Sequence, residues 1–295
     1  MPHSILTVIL FISLALSACS PQNNASLKLL TNAWIGYSPL FYAKEKGWLD
    51  ELNIELSTVV SLGESAMIYN TGNFDGITGT QYEYEQLNNQ SNSLIPVIMF
   101  DRSNGGDMIL SSHPIEFLAE TDQIINVHLE LNSINYVVFK DFIRTHKLEE
   151  KSFNFINQDQ IKTVSSLKDN SLKTPTLVVT YIPYNFALQK QGFKIIASTK
   201  DIQDLLVIDS LFIAQNSLTS HKQHLVGLKH RVDEALKHLE ENPRAYYDTV
   251  KAYLGNPSYE DFMAGLQDIE WMNNKMPKPV SERLNHTGFP TKDLL

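Results

Sequence analysis

The sequence predicts an α/β fold from three observations. Short apolar runs rich in Val, Ile, Leu and Phe alternate along the chain with amphipathic stretches of helical length. No internal repeat, Gly/Ser-rich linker or long charge run follows Ser26. Of the 295 residues, 43% are apolar, which is enough for one large domain or two medium lobes to bury a full core. The alternation of apolar runs with amphipathic stretches is typical of largely parallel sheets flanked by helices.

Apolar runs with the length and composition of strands occur from residue 27 to residue 214. They are Leu27–Thr31, Ile54–Val60, Gly76–Thr78, Leu94–Phe100, Met108–Ser111, Ile124–Leu129, Phe153–Asn157, Leu177–Tyr181, Lys194–Ala197 and Leu205–Ala214. Strands therefore dominate the middle of the chain, and the C-terminal third is mostly helical.

Capping signals locate several helices. The predicted starts and ends are Ser38-Pro39 to Gly47, Asn242-Pro243 to Gly255, and Ser258 with Asp261 as the start of the next helix. Before these last two helices in the chain, apolar residues recur at helical spacing and form one face. They are Leu225, Leu228, Val232, Leu236 and Leu239.

The charge balance and the cysteine count exclude several classes of protein. The chain has 24 Lys and Arg against 33 Asp and Glu, a formal net charge of −9. This deficit of basic residues argues against a protein that binds nucleic acid independently of sequence. Cys19 is the single cysteine, which excludes intrachain disulfides and cysteine-based zinc sites.

The N-terminal segment predicts export and lipidation. Ile5–Ala18 is an apolar run too short to span a bilayer as a mature helix, and it ends in small residues directly before Cys19. This pattern resembles the lipobox of bacterial lipoproteins, although no Lys or Arg precedes Ile5. The alternatives are an uncleaved membrane anchor and a buried first strand. We interpret residues 1–18 as a signal peptide, Cys19 as the lipidation site, and residues 19–26 as a tether to the membrane.

No catalytic, phosphate-binding or metal-binding motif is present. The sequence lacks G-x-S-x-G, H-E-x-x-H, P-loop and G-x-G-x-x-G patterns. The segment 101–107 looks like a calcium loop, but its twelfth position would be Ser112, so we interpret it as a turn. His221, His224 and His230 lie in a polar helical segment with no partner acid at ligand spacing, which favours a solvated face over a metal site. We therefore expect no enzyme activity, no metal and no cofactor.

Polar and aromatic residues recur directly after the predicted strands. In an open α/β sheet, ligands bind beyond the carboxyl ends of the strands, where helix N-termini offer free N–H groups. The segments concerned are 32–39, 61–65, 78–82, 131–135, 157–159 and 180–184. Because these segments come from two different parts of the chain, they predict a ligand-binding cleft between those two parts.

The motif Trp34-x-Gly36-Tyr37-x-Pro39-Leu40, followed by Ala43 and Gly47-Trp48, resembles the N-terminal signature of a known family. It is similar to the nitrate/sulfonate/taurine and pyrimidine-precursor (thiamine precursor) group of ABC-transporter substrate-binding proteins. Further resemblances, in the same order as in the family, are Asn73-Phe74-Asp75-Gly76, Asp101-x-Ser103-x-Gly105-Gly106-Asp107, Thr180-Tyr181-Ile182-Pro183-Tyr184, Ser198 to Ile202, and Glu240 to Pro243. The family's enzymes use a cysteine-rich motif that this chain lacks.

The resemblance implies a two-lobed periplasmic-binding-protein fold of type II. Each lobe would be a mostly parallel sheet flanked by helices, and two crossovers would join the lobes. Lobe 1 would comprise residues 27–104 and 201–295, and lobe 2 residues 105–200. Asp101, Ser103 and Asp107 would belong to the hinge.

The resemblance also implies a ligand held between the lobes. The residues assigned to it are Trp34, Tyr37, Ser38, Glu64, Thr80, Gln81, Ser133, Asn135, Asp159, Tyr181 and Tyr184. For Glu64 and Asp159, an alternative is a carboxylate in the first turn of a helix, favoured by the helix dipole. Arg102 is the only arginine in these loops. This weakens, without eliminating, a planar anion as the ligand.

The function that follows is an extracytoplasmic, lipid-anchored and monomeric solute receptor for an ABC permease and ATPase, acting without chemical change. The candidate ligands are a pyrimidine precursor, an alkylsulfonate or a small amine-bearing compound. The alternatives are a ligand-sensing lipoprotein coupled to a signalling receptor and an extracytoplasmic enzyme on the same scaffold. Nucleic acid is not an expected partner.

Overall fold

The computed structural model describes residues 25–88, 93–167, 171–201, 205–272 and 276–295. The predicted signal peptide, residues 1–18, and the predicted lipidation site Cys19 lie outside the described residues, as does residue 202 of the second crossover motif. In the part of the chain that is described, no helix combines the length and the apolar character needed to cross a membrane.

The strands form two separate sheets. They are β1 Leu27–Asn32, β2 Ile54–Val59, β3 Gly76–Thr80, β4 Leu94–Ser103, β5 Asp107–Ser111, β6 Ile125–Leu129, β7 Phe153–Asn157, β8 Thr176–Tyr181, β9 Lys194–Ser198, β10 Ile208–Ala214 and β11 Ile269–Trp271. The first sheet has the order β11-β4-β10-β3-β1-β2, and the second has the order β7-β6-β8-β5-β9.

Most strands in each sheet run in one direction. In the first sheet β1, β2, β3 and β4 are parallel, while β10 and β11 run in the opposite direction. In the second sheet β6, β7, β8 and β9 share a direction and β5 opposes them. The carboxyl ends of the parallel strands in each sheet therefore lie at one edge, where a ligand site is expected.

Helices connect and flank these strands, as the alternating sequence pattern predicts. They are α1 Ser38–Glu45, α2 Trp48–Glu51, α3 Leu62–Tyr69, α4 Gln81–Leu87, α5 Ile115–Glu120, α6 Ile134–Thr145, α7 Gln160–Ser166, α8 Tyr184–Lys190, α9 Gln215–Ser220, α10 Lys222–Glu241, α11 Pro243–Val250, α12 Tyr259–Gly265 and α13 Lys278–Thr287.

The helices cover the sheets through their apolar faces. On α10, Leu225, Leu228, Val232 and Leu239 are buried in one cluster with Leu29 and other side chains of the first sheet. A second cluster joins Phe139 and Phe142 of α6 to strands of the second sheet. Burial of these stripes, at about 25 cal/mol per Å² of apolar surface, holds the helices on the sheets.

Several details differ from the sequence-based expectations. Each of the ten predicted strands is present, but β10 begins at Ile208 rather than Leu205, and β11 was not predicted. Ser38 is the first residue of α1 and does not cap it; its hydroxyl instead accepts a hydrogen bond from Tyr246. His221 is buried, so the interpretation as a solvated face is wrong for this residue, whereas His230 is exposed.

Two segments connect the sheets and are hydrogen-bonded to each other. Residues 104–106 join β4 to β5, and the connection from β9 to β10 begins at Thr199. The Ser103 and Thr199 hydroxyls are 2.8 Å apart, and the Thr199 hydroxyl accepts the Gly105 N–H at 2.9 Å. The Ser103 hydroxyl also accepts the Asp107 N–H at 2.9 Å. Ser103, one of the three residues that the sequence assigns to a hinge, and Thr199 thus satisfy backbone N–H groups where the chain crosses between sheets.

Candidate functional site

A small cavity lies between the two sheets, at the edge where their parallel strands end. It is lined by Asn32, Trp34, Tyr37, Leu62, Thr80, Asp107, Ile134, Tyr181 and Asp209. Asn32, Thr80 and Tyr181 are the last residues of β1, β3 and β8. The cavity volume is about 10 Å³, close to the space that one water molecule needs.

Trp34 forms one wall of this cavity and is held at both ends. Its backbone N–H donates to Asn32 Oδ1 at 3.1 Å, and its indole Nε1 donates to the Asp101 carboxylate at 3.2 Å. Its ring meets the Tyr181 ring edge-on, with centroids 5.9 Å apart. A Cβ atom on Gly106 would lie 2.6 Å from the Trp34 ring, so the close approach of the crossover to this ring requires glycine.

Tyr37 and two aspartates form a buried polar group next to Trp34. The Tyr37 hydroxyl donates to Asp209 Oδ1 at 2.5 Å. Asp209 of β10 stands opposite Asp101 of β4 in the sheet register. Burial raises the pKa of both carboxyls well above the usual range, and the nearby charge of Asp101 raises the pKa of Asp209 further.

Asp107 brings a third carboxyl to the cavity from the first residue of β5. Its side chain is 3% exposed. Burial raises the pKa of Asp107 to about 6, and a hydrogen bond with the Ser103 hydroxyl opposes this rise. Asp107, one of the three residues predicted for the hinge, therefore also lines the candidate site.

Two further carboxylates connect elements of the first sheet to elements of the second. Glu130, after β6, accepts the Ser61 hydroxyl at 2.7 Å and the Gly63 N–H at 3.3 Å, at the start of α3. Glu83, in α4, accepts the Ile134 N–H at 2.9 Å, at the start of α6. Burial raises the pKa of Glu83 to about 7, although hydrogen bonds from Thr80 and Ile134 favour its charged form. The N-termini of both helices are therefore occupied by the chain's own acids.

The predicted site residues divide into three groups. Trp34, Tyr37, Thr80 and Tyr181 line the cavity. Tyr184, Ser133 and Asn135 lie near it: the Tyr184 ring packs edge-on against Tyr181 with centroids 5.4 Å apart, Ser133 caps α6, and Asn135 accepts a hydrogen bond from Gln160.

The third group does not reach the cavity. Ser38 is buried beside Tyr246, and Gln81 bonds the backbone of Leu206 and Ile208 at the start of β10. Glu64 and Asp159 line a separate groove, of about 220 Å³, that also contains Glu130 and Lys162. Asp159 caps α7 and pairs with Lys162 at 3.1 Å, while Glu64 is exposed.

Four polar residues of this region were not predicted as site residues from the sequence: Asn32, Glu83, Glu130 and Asp209. Asn32 carried a local signal, because it ends β1 and begins the polar turn that contains Trp34. Asp209 lies near the start of a strand that runs against its neighbours, so the rule of looking after strands misses it. Glu83 and Glu130 act across the two sheets, which no local pattern indicates.

Metal chemistry has no support from the described side chains. Among them, no group of three or more His, Cys, Asp or Glu is arranged to hold a metal ion. His221 and His224 are neighbours, with their Nδ1 atoms 3.3 Å apart.

No protein-family model matches the sequence, and no curated protein matches it. Solved structures do match. The ligand-binding component of an ABC-type import system from Staphylococcus aureus, with zinc bound, is 13% identical with a TM-score of 0.67, over 91% of this chain and 95% of that chain. The periplasmic aliphatic sulphonate binding protein SsuA from Escherichia coli is 14% identical with a TM-score of 0.67, over 91% and 86%.

The periplasmic nitrate-binding protein NrtA from Synechocystis is 16% identical with a TM-score of 0.60, over 80% of this chain and 68% of that chain. These identities are low, but the matches extend over most of each chain. The order and direction of the strands and the cavity between the two sheets agree with the architecture that the resemblance implied. The chain therefore has the two-lobed periplasmic-binding-protein fold, with each lobe a mostly parallel sheet flanked by helices.

Proposed function

We propose that the protein is an extracytoplasmic, lipid-anchored solute-binding protein of an ABC importer. The observation that carries this proposal is a cavity lined by residues from both lobes. Asn32, Trp34 and Tyr37 belong to the first sheet's part of the chain, whereas Asp107 and Tyr181 belong to the second. The binding roles of the similar structures support it. The apolar segment before Cys19 supports the membrane anchor.

Contacts from both lobes are what a solute-binding protein needs in order to close. A ligand shifts a conformational equilibrium only as far as it binds one state better than the other. A solute that touches Trp34 on one lobe and Tyr181 on the other gains both sets of contacts only when the lobes are together. The closed, loaded and monomeric receptor would then be the form that a permease recognises.

The lining favours binding over catalysis. The described residues around the cavity include no cysteine or histidine. The Tyr37 hydroxyl and the Asp209 carboxyl, which are the closest approach to an acid/base pair, bond to each other rather than to a nucleophile. We therefore propose that the ligand leaves unchanged.

Thermal stabilisation of the soluble form, beginning after Cys19, tests this proposal. We expect one compound in a panel of pyrimidine precursors, alkylsulfonates and small amines to raise the unfolding temperature in a saturable way. Mass spectrometry should recover that compound unchanged.

Trp34→Ala should weaken the binding at least tenfold, since it removes a wall of the cavity. The matched control is Trp48→Ala, because Trp48 packs against Tyr42 outside the cavity. Turnover of the compound, or full affinity in the Trp34 variant, would contradict the proposal.

Truncation of Glu130 should shift the empty protein toward an open form. Glu130→Ala removes the acceptor for Ser61 and Gly63, two of the contacts that hold the lobes together without a ligand. Small-angle scattering should report a larger radius of gyration for this variant. Glu120→Ala, on the exposed surface of the same lobe, is the control and should scatter like the wild type. Equal radii for all three proteins would mean that the Glu130 contacts do not govern closure.

A further inference from the structure

We propose that the solute is a compact organic cation, an ammonium or amidinium compound that also carries one hydrogen-bond acceptor. This inference rests on the proposed function, because it assigns a ligand class to the same cavity. Three features carry it: the charge of the cavity wall, the occupation of two nearby helix N-termini, and an unpaired donor on the lining residue Asn32.

The wall of the cavity carries acids without basic partners. Asp107 and Asp209 line it, and Asp101 stands directly behind Trp34. Among the described residues, no Lys, Arg or His forms an ion pair or hydrogen bond with any of these three side chains. A buried carboxylate without a cation is costly, and a cationic ligand would supply the missing charge.

Two nearby helix N-termini, which would usually attract an anion, are already filled. A helix N-terminus binds anions through its free N–H groups and its dipole. Here Glu130 occupies the start of α3, and Glu83 occupies the start of α6. A sulfonate or nitrate could use these two N-termini only by displacing the acids, and an anion anywhere in the cavity would face Asp107 and Asp209. This arrangement disfavours anions such as those named for two of the similar structures.

Three aromatic rings complete an environment suited to a cation. Trp34, Tyr37 and Tyr181 all line the cavity, and Tyr181 meets Trp34 edge-on. A cation over the face of a Trp or Tyr ring is attracted by the ring's electrons, most strongly when the site excludes water. The same rings exclude water from any ligand that reaches the aspartates.

Asn32 indicates the second feature of the ligand. Its side chain is 2% exposed and lines the cavity. Its Oδ1 accepts the Trp34 N–H, but its Nδ2 has no hydrogen-bond partner. An unpaired buried donor is rare because it loses its hydrogen bond to water. A ring nitrogen, hydroxyl or carbonyl on the ligand would satisfy it.

The size of the cavity limits the ligand. At about 10 Å³ it holds about one water, so the lobes must move apart to admit an organic molecule. A small ligand requires the least separation and keeps the most contacts between the lobes.

Binding of an isosteric series tests the assignment. Acetamidinium, acetamide and acetate have nearly the same shape and differ in charge. Acetamidinium has no hydrogen-bond acceptor, so this series tests the charge of the ligand alone. Saturation-transfer NMR, which detects weak binding, should give an acetamidinium affinity about tenfold or more above that of acetamide, and no binding of acetate. Asp107→Asn, which keeps the side-chain shape, should remove the preference for acetamidinium. Asp50→Asn, which changes an exposed acid on α2, should retain it. Thermal unfolding of each variant checks that it is folded.

The outcomes separate this inference from the proposed function. If acetate or acetamide binds as well as acetamidinium, or if acetamidinium does not bind, the charge assignment is wrong. If another solute from the wider panel still stabilises and closes the protein, the receptor role stands without the charge assignment. An unchanged preference in the Asp107 variant would also overturn the assignment. If no solute of any charge binds, both proposals fail.

Discussion

Gly36→Ala should destabilise the protein by about 3 kcal/mol, because the site has no room for a methyl group. Gly36 lies in the short 3₁₀ turn Ile35–Tyr37, between Trp34 and Tyr37, which both line the cavity. A Cβ atom at this position would overlap Asp101 Oδ2 and lie 2.5 Å from Trp34 Nε1. The new methyl group would therefore break the Trp34–Asp101 hydrogen bond and leave a buried carboxyl without its donor. Urea denaturation measures the loss.

Gly63→Ala is the matched control for this substitution. Gly63 also lies beside the interlobe contacts, but its added Cβ would meet Asn132 O at an ordinary 3.5 Å. Because Gly63 is within α3, alanine should be neutral or stabilising by up to about 1 kcal/mol. If the two variants had equal stabilities, the packing between Gly36, Asp101 and Trp34 would not be as tight as the structure indicates.

The elements that the sequence predicted are those with a strong local pattern. The strands carry continuous apolar runs, and Ser258 and Asn242 have side chains that cap the helices that follow them. The strand β11 has only three residues, within a largely helical region, and it exists because Ile269 and Trp271 pair with β4. Ser38 has the sequence of a cap, but its hydroxyl bonds to Tyr246 from a distant helix. In both cases tertiary contacts outweigh the local signal.

The same distinction applies to the site. Trp34, Thr80 and Tyr181 could be predicted because each lies at or just after the end of a strand, where ligands of α/β sheets bind. Glu83 and Glu130 could not be predicted, because their partners are 51 and 67–69 residues away in the chain. The sequence predicted polar groups at the cleft. It did not predict that Glu130 and Glu83 would accept hydrogen bonds from the N-termini of α3 and α6.

Asp107→Asn should stabilise the empty protein at neutral pH, although it should impair ligand binding. Burial raises the pKa of Asp107 from 3.8 to about 6 in the folded protein. Between about pH 4 and pH 6 the unfolded chain therefore releases a proton that the folded protein retains. The free energy of unfolding falls over this range and levels off above it. At about 1.36 kcal/mol for each pKa unit, the free energy of unfolding falls by about 3 kcal/mol in total.

Asparagine does not titrate, so the gain from the substitution should depend on pH. Urea denaturation should give equal stabilities for both proteins near pH 4 and a variant that is about 3 kcal/mol more stable near pH 7. Asp101, Asp209 and Glu83 are also buried acids with raised pKa values, but they are present in both proteins, so most of their effect cancels. The charge of Asp107 raises the pKa of Asp101 and Asp209, so its removal adds to the gain at high pH. A difference that does not change between pH 4 and pH 7 would mean that Asp107 does not titrate in this range. A pH-dependent gain would identify Asp107 as a residue that lowers the stability of the empty protein at neutral pH and is available to a cationic ligand.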